Sequence, residues 1–239
     1  MSGGTDLLFR GDAYLRTGTA TIVAVDGGQV QLDRTIFYPM GGGQPGDRGT
    51  LQTADGRIFP VTDTRKGESP NSVIHLVDGD TGSLAVETPV TMTLNWNYRH
   101  RLMRMHTCMH LLCAIVPGAV TGGQISDGKA RLDFDVPGDS LDKDQITSKL
   151  NALIQGNHAV EPRWVTDEEL AARPELVRTM SVKPPTGSGR VRLLDITGVD
   201  LQPCGGTHVR NTGEIGPVVV TKIENKGRQN RRINIAFAS

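Results

Sequence analysis

The first part of the chain alternates short apolar runs with turn residues, a pattern typical of β-strands. The runs are rich in Val, Ile and Thr and comprise Thr19–Val25, Gln29–Leu32, Arg57–Thr62, Val73–Val77 and Val90–Leu94. Asp-Gly pairs stand at 26–27, 55–56 and 78–79. Because both residues of such a pair tolerate positive φ, each pair predicts a hairpin turn. Short strands with regular turns therefore predict a small β-barrel or sandwich over residues 1–94.

The pattern changes near residue 95, where helical spacing begins. A helix capped by Asn97 and ending at Pro117 is predicted by the apolar residues Leu102, Met105, Met109, Leu112 and Val116. A second helix is predicted to begin at Ser140, with its apolar face formed by Ile146, Leu150 and Leu153. A capping-box pattern begins a short third helix at Thr166. Strands are predicted over 130–136, 158–165, 191–196, 217–223 and 231–237. Residues 95–239 therefore form a predicted α+β domain, with a surface loop at 183–189.

Composition narrows the class of protein. The 26 basic residues equal the 26 acidic ones, so the net charge is zero and a surface that is basic throughout is excluded. Three cysteines are too few for a disulfide framework, which favours a reducing compartment. The N-terminus carries no apolar signal sequence, and the longest apolar run, Leu111–Val116, is far too short for a membrane span. We therefore expect a cytoplasmic protein with no membrane partner.

Two short motifs carry candidate metal ligands. His106 and His110 are four residues apart on the first predicted helix, so both imidazoles can face one atom. Cys204 and His208 have the same spacing, and the glycines between them permit a non-helical bend. One thiolate with three imidazoles suits Zn²⁺. Taken singly, each motif could be incidental, but the paired spacings favour a site. Thr107 stands where a zinc protease needs Glu, which argues against that class.

The other cysteines and the Gly-rich loop have competing interpretations. Cys108 lies on a different helical face from His106, and we interpret it as core packing. Cys113, three residues beyond His110, could approach the site, but core packing is favoured for it as well. The stretch 41–43 is three glycines without the Gly-Lys-Ser/Thr ending of a P-loop, so ATP binding there is disfavoured. From chemistry alone, a flexible hairpin tip and a backbone that approaches a ligand closely are equally favoured.

These residues carry a resemblance to a known family. The segments HTCMHLL at 106–112 and CGGTHV at 204–209 resemble the editing domain of alanyl-tRNA synthetase. Residues 37–49, FYPMGGGQPGDRG, resemble the Gly-rich motif upstream of that domain, and the tail from Thr212 to Ile233 matches as well. With no synthetase catalytic core, the chain resembles the medium-length AlaX trans-editing proteins. Met40, where the family usually has an acidic residue, and Cys108-Met109 inside the first motif are departures.

The resemblance implies a fold, an activity and a set of site residues. It implies an N-terminal β-barrel and an α+β editing domain like that of alanyl- and threonyl-tRNA synthetases. It implies hydrolysis of tRNA(Ala) esterified with a wrong amino acid, chiefly serine, with glycine as a second candidate, and with no ATP requirement. The implied zinc ligands are His106, His110, Cys204 and His208. Gln124 falls where the family places a substrate-contacting residue.

The sequence indicates the residues for substrate selectivity and tRNA binding less strongly than it indicates the metal ligands. Thr107, beside the first ligand, is a candidate partner for the serine hydroxyl, and methyl packing is an equally good interpretation. Residues expected to contact substrate or tRNA are Gly41, Gly42, Gly43, Arg99, Arg101, Arg104, Arg231 and Arg232. Besides a deacylase, the sequence permits a non-catalytic tRNA-binding module with structural zinc. A zinc hydrolase of small esters or amides is a third alternative, which leaves the basic clusters unused.

Overall fold

A computed structural model of the protein describes residues 4–136, 141–177 and 189–238. The chain divides into two compact units, Met1–Arg101 and Leu102–Ser239. This division lies inside the first long helix, whereas the sequence pattern places the change of domain before that helix. Ser140, the predicted start of the second helix, and nearly all of the predicted loop at 183–189 lie outside the described residues.

The described part of the first unit contains eight strands, and six of these strands form a closed barrel, which confirms the predicted barrel. The eight strands are β1 (Asp6–Leu7), β2 (Thr17–Asp26), β3 (Gln29–Leu32), β4 (Arg34–Thr35), β5 (Gly49–Thr53), β6 (Ile58–Lys66), β7 (Val73–Val77) and β8 (Pro89–Leu94). The barrel order is β2-β3-β7-β6-β5-β8, with antiparallel neighbours throughout. Strands β1 and β4 pair separately and in parallel. Alternation along β8 buries Val90, Met92 and Leu94 in the barrel core.

Two of the three Asp-Gly pairs lie in hairpins. Gly27 and Gly56 have φ values of +54° and +88° in the turns that join β2 to β3 and β5 to β6. The third prediction, at Asp78-Gly79, is wrong because β7 pairs with β3 and β6, while the next strand, β8, pairs with β5 and β2. An Asp-Gly pair marks the end of a strand, but the strand order of the barrel decides which strand pairs with it.

The long helix α1 (Trp96–Ile115) carries the predicted apolar positions. Asn95, rather than Asn97, caps it, because the Asn95 side-chain oxygen accepts a hydrogen bond from the N–H of Tyr98 at 3.1 Å. Its core face is confirmed, because Leu102, Met105, Met109 and Leu112 are buried, and Val116, directly after the helix, is buried as well.

The described residues of the second unit form two antiparallel sheets. Its elements are β9 (Ala119–Ser126), β10 (Lys129–Asp135), α2 (Lys143–Gln155), β11 (Val160–Thr166), α3 (Asp167–Ala171), β12 (Arg190–Ile196), β13 (Asp200–Pro203), β14 (Val218–Asn225) and β15 (Asn230–Phe237). One sheet has the order β14-β15-β10-β9 and the other β11-β12-β13. The predicted α+β class is therefore confirmed.

Helix α2 packs against the edge strand β14. The side chain of Asn151 exchanges two hydrogen bonds with the backbone of Val218, at 2.8 and 3.0 Å, which satisfies part of the open sheet edge. The buried face of α2 is Ile146, Leu150 and Ile154, so Ile154 takes the place predicted for Leu153.

The predicted capping box at Thr166 is present at the start of α3. Among the described residues, no helix has both the length and the apolar character that crossing a bilayer requires.

Candidate metal centre

Helix α1 supplies two imidazoles to one point. His106 and His110 are one helical turn apart, and their ring centroids are 5.5 Å apart. Both side chains are buried, with 7% and 6% of their surface exposed. Exposed histidines at this spacing are common on helices, whereas a buried pair needs polar partners. The helix therefore presents a nitrogen pair to the interior of the second unit.

The loop after β13 supplies the other two ligands. Cys204 Sγ lies 3.1 Å from His208 Nε2 and 3.6 Å from His106 Nε2. One ligand atom from each of His106, His110, Cys204 and His208 lies within 4.8 Å of the other three. The structure thus brings together all four residues that the two motifs single out, although about a hundred residues separate the motifs.

This donor set fits a zinc ion. Zn–S and Zn–N bonds of about 2.3 and 2.1 Å in a tetrahedron put sulfur and nitrogen about 3.6 Å apart. The two Cys204–histidine distances of 3.1 and 3.6 Å lie close to that value. One thiolate with three neutral imidazoles is a common combination for this metal. The four side chains would hold a zinc ion without a further protein ligand.

Electrostatics at the cluster favour the deprotonated thiol. Burial raises the pKa of Cys204, but the imidazoles of His106, His208 and His110 outweigh it and hold that pKa well below its ordinary value. Burial lowers the pKa of His208. For His110, burial acts in the same direction, but the Cys204 thiolate and the Asp200 carboxylate outweigh it and raise the pKa. The thiolate is the form that binds metal.

The remaining cysteines are core residues. Cys108 is fully buried and Cys113 is 7% exposed. Burial raises the pKa of the Cys108 thiol to about 12, so that it stays protonated and unsuited to metal binding. The prediction that both pack in the core is confirmed.

Two residues that no sequence motif singles out lie against the ligands. Arg192 on β12 donates hydrogen bonds from Nη1 to the carbonyl oxygens of Cys204 and Gly206, at 2.8 and 3.1 Å. Asp200 on β13 places Oδ2 3.6 Å from His110 Nδ1. Asp200 precedes Cys204 by four residues, and this spacing is a weak indication that it lies near the ligands. No sequence feature near Arg192 indicates that it contacts the loop after β13.

Thr107 lies against the cluster, with its hydroxyl fully buried. Its Oγ1 lies 3.0 Å from the Met103 carbonyl oxygen, 3.2 Å from His208 Nδ1 and 3.3 Å from the Val209 nitrogen. A threonine hydroxyl has one proton and two lone pairs, and these three partners occupy all of them. The predicted contact with a substrate hydroxyl stays a prediction, and the geometry favours a role toward His208.

Gln124 lies on β9, and its side chain is exposed. Its Oε1 accepts hydrogen bonds from Nε and Nη2 of Arg131, both at 3.3 Å. With Lys129 and Lys222 it lines an open groove of about 450 Å³ on the four-stranded sheet. The substrate contact expected of Gln124 stays a prediction.

The Gly-rich loop of the first unit ends in a tight turn. Gly41 and Gln44 exchange backbone hydrogen bonds of 3.1 and 3.0 Å. Gly42 and Gly43 have φ values of +56° and +81°, and two consecutive positive values characterise a type I′ turn. A Cβ at Gly42 would meet no atom within 4 Å, so the tip is open to solvent. Its predicted contact with substrate stays a prediction.

One expected tRNA contact is wrong. Arg99 is fully buried, and its guanidinium pairs with the Asp47 carboxylate and donates to the carbonyl oxygens of Ala13 and Ile36. A phosphate cannot reach it, because the Gly-rich loop and neighbouring segments of the same unit surround it. The charge of Arg99 is evident from the sequence, whereas its burial depends on the tertiary structure.

The other basic residues have partners of their own. Arg231 is only 8% exposed and donates to the carbonyl oxygens of Gly227 and Asn230. Arg232 pairs with Asp133 through two hydrogen bonds of 2.8 Å.

On α1, Arg104 donates to the carbonyl oxygen of Ile215 and lies over the ring of Phe237, and Arg101 is partly exposed. The expected tRNA contacts of Arg101, Arg104, Arg231 and Arg232 stay predictions.

Comparisons with known proteins agree with this architecture. Residues 191–234 match the threonyl and alanyl tRNA synthetase second additional domain, and residues 14–98 match the class II (A) tRNA synthetases. The alanyl-tRNA editing proteins AlaX-M of Saccharolobus solfataricus and Methanosarcina acetivorans are 35% and 37% identical, each over 96% of this chain and 97% of their own. The alanine–tRNA ligase of Sulfurisphaera tokodaii is 31% identical over 92% of this chain and 25% of its own length.

Proposed function

The chain belongs to the AlaX-M family of alanyl-tRNA editing proteins, and from this premise we propose that it hydrolyses mischarged aminoacyl-tRNA(Ala) in trans with the help of a bound zinc ion. The substrate is chiefly Ser-tRNA(Ala), with Gly-tRNA(Ala) second. Water adds to the ester carbonyl carbon, the bond from that carbon to the ribose oxygen breaks, and the ribose oxygen takes up a proton. The observation that carries the proposal is the buried convergence of His106, His110, Cys204 and His208.

The protein's part in this reaction is positioning. A zinc ion at the cluster would polarise the ester carbonyl or lower the pKa of a water molecule. The two helical histidines and the Cys204 loop set the place where the aminoacyl group must lie. An aminoacyl ester is already reactive, so orientation and stabilisation of the developing oxyanion account for most of the rate.

tRNA binding is proposed for exposed parts of both units. The turn Gly41–Gly43 is open to solvent and lets a backbone approach closely. In the second unit, the groove lined by Gln124, Arg131 and Lys222 offers cationic and amide groups to phosphate or ribose. We expect the protein to act in the cytoplasm. No ATP is required, because the hydrolysis of an aminoacyl ester has a favourable free energy.

A second candidate function follows from the number of ligands. Four protein ligands fill a tetrahedral shell, which is the pattern of a structural zinc site. The alternative is therefore a non-catalytic tRNA-binding module in which zinc holds α1 to the loop after β13.

Deacylation assays separate the two functions. Purified protein is incubated with Ser-, Gly- and Ala-charged tRNA(Ala), with and without a chelator. We expect Ser-tRNA(Ala) to be cleaved fastest, Ala-tRNA(Ala) to survive, and the chelator to stop cleavage. His110→Ala should lose turnover while it keeps its circular dichroism spectrum, and Cys108→Ala serves as the matched control from the same helix. Zinc-loaded protein that binds tRNA(Ala) but leaves the serine ester intact would establish the structural alternative instead.

A further inference from the structure

The ring of His208 needs a partner at its second nitrogen. Its Nε2 lies 3.1 Å from Cys204 Sγ and so points into the cluster. A neutral imidazole that binds metal through Nε2 carries its proton on Nδ1. That nitrogen lies 3.2 Å from the hydroxyl oxygen of Thr107, in a fully buried position. The Thr107 oxygen is therefore placed to accept that proton.

The other hydrogen bonds of Thr107 are consistent with its oxygen accepting a proton from His208 Nδ1. Its own proton goes to the Met103 carbonyl oxygen at 3.0 Å, one turn earlier in α1. Its two lone pairs accept from His208 Nδ1 and from the Val209 N–H at 3.3 Å. Every donor meets an acceptor, and the hydroxyl ties the helix that bears two ligands to the loop that bears the other two.

We propose that Thr107 is a positioning residue of the metal centre, which holds His208 in its metal-binding tautomer and links α1 to the loop after Cys204. The proposal rests on the zinc site of the proposed function. It assigns the Thr107 hydroxyl to the protein rather than to the hydroxyl of a serine substrate. Partners of this kind commonly change metal affinity by about 10- to 100-fold when they are removed.

The test measures zinc affinity rather than turnover. Thr107→Val keeps the side-chain shape and removes the hydroxyl, whereas Thr107→Ser keeps the hydroxyl. Thr212→Val is the matched control, because Thr212 is also fully buried and its hydroxyl bonds backbone groups of Leu153 and His158 instead of a ligand. Dissociation constants come from competition with a chromogenic chelator, and thermal melting checks the fold.

We expect Thr107→Val to bind zinc about 10- to 100-fold more weakly, with Thr107→Ser and Thr212→Val close to the wild type. Wild-type affinity in Thr107→Val would overturn the proposal. If Thr107→Val bound zinc with wild-type affinity but cleaved Ser- and Ala-tRNA(Ala) in a changed ratio, a role of Thr107 in selectivity would replace the positioning role. A wild-type protein that binds no zinc would instead refute the proposed function, and the positioning role with it.

A second measurement needs no variant. In ¹⁵N-histidine spectra of the zinc-loaded wild type, His208 should carry its proton on Nδ1, and that proton should exchange slowly with water. A proton on Nδ1 that exchanges as fast as one on an exposed histidine would overturn the proposal, even if Thr107→Val fails to fold.

Discussion

The buried ion pair of the barrel unit offers the sharpest test of the energetic reasoning. Arg99 and Asp47 have side chains that are 1% and 0% exposed. Arg99 Nε lies 2.9 Å from both carboxylate oxygens, and Nη1 and Nη2 donate to the carbonyl oxygens of Ala13 and Ile36. The carboxylate also accepts from the N–H of Tyr38, so the pair closes the two ends of the Gly-rich loop. The perturbation is Arg99→Met, which keeps the length of the side chain and removes the charge.

The expected loss is large because the partner charge stays behind. Breaking a buried pair by removing one member costs about 3–5 kcal/mol, since the other charge is left uncompensated. Two carbonyl oxygens also lose their donor. A single domain has a free energy of unfolding of about 5–15 kcal/mol, so this loss removes a large share of it. With a urea slope of about 2 kcal/mol/M, a loss of 4 kcal/mol moves the midpoint by about 2 M.

Urea unfolding followed by tryptophan fluorescence measures this loss. Trp96 belongs to the first unit and Trp164 to the second, so a Trp164→Phe background reports on the barrel unit alone. The control is Arg57→Met, because the pair of Arg57 with Asp55 is about half exposed on both sides. It should move the urea midpoint far less than Arg99→Met does, because water screens an exposed pair. Arg99→Met within 1 kcal/mol of the wild type would refute the reasoning.

Three further changes have expected outcomes. Cys204→Ala should abolish stoichiometric zinc in elemental analysis, whereas Cys108→Ala should retain it; equal zinc contents would contradict the ligand assignment. Burial lowers the pKa of His75 from 6.5 to about 4, so protonation favours the unfolded state. The contribution of His75 to the free energy of unfolding should therefore fall by about 2 kcal/mol from pH 8 to pH 5, and urea titrations at both pH values should show a fall in His75→Gln that is smaller than the wild-type fall by this amount. Gly49→Ala should lower the melting temperature, because its Cβ would lie 2.1 Å from the Thr93 carbonyl oxygen; an unchanged melting curve would contradict the close approach.

The local pattern of apolar residues and the spacing of short motifs were sufficient to predict most secondary-structure elements and the four candidate ligands. Alternation predicts β8, and helical spacing predicts α1 with its buried face. The ligand pairs are recognisable because each lies within four residues, so its geometry follows from local backbone conformation. By contrast, the sequence does not predict β13, because this four-residue segment with Asp200 and Pro203 has no apolar alternation. It is extended because it pairs with β12.

The sequence by itself determined the class of fold, the chemistry of the ligand set and the family resemblance, because these depend on residue type and short spacing. Tertiary structure alone decided which charges are accessible: Arg99 and Arg101 are two residues apart, yet the first is buried against Asp47 and the second is partly exposed. It also decided that Thr107, Asp200 and Arg192 meet the ligands. Those contacts join segments far apart in the chain, and the free energy of such contacts comes from packing that no local pattern records.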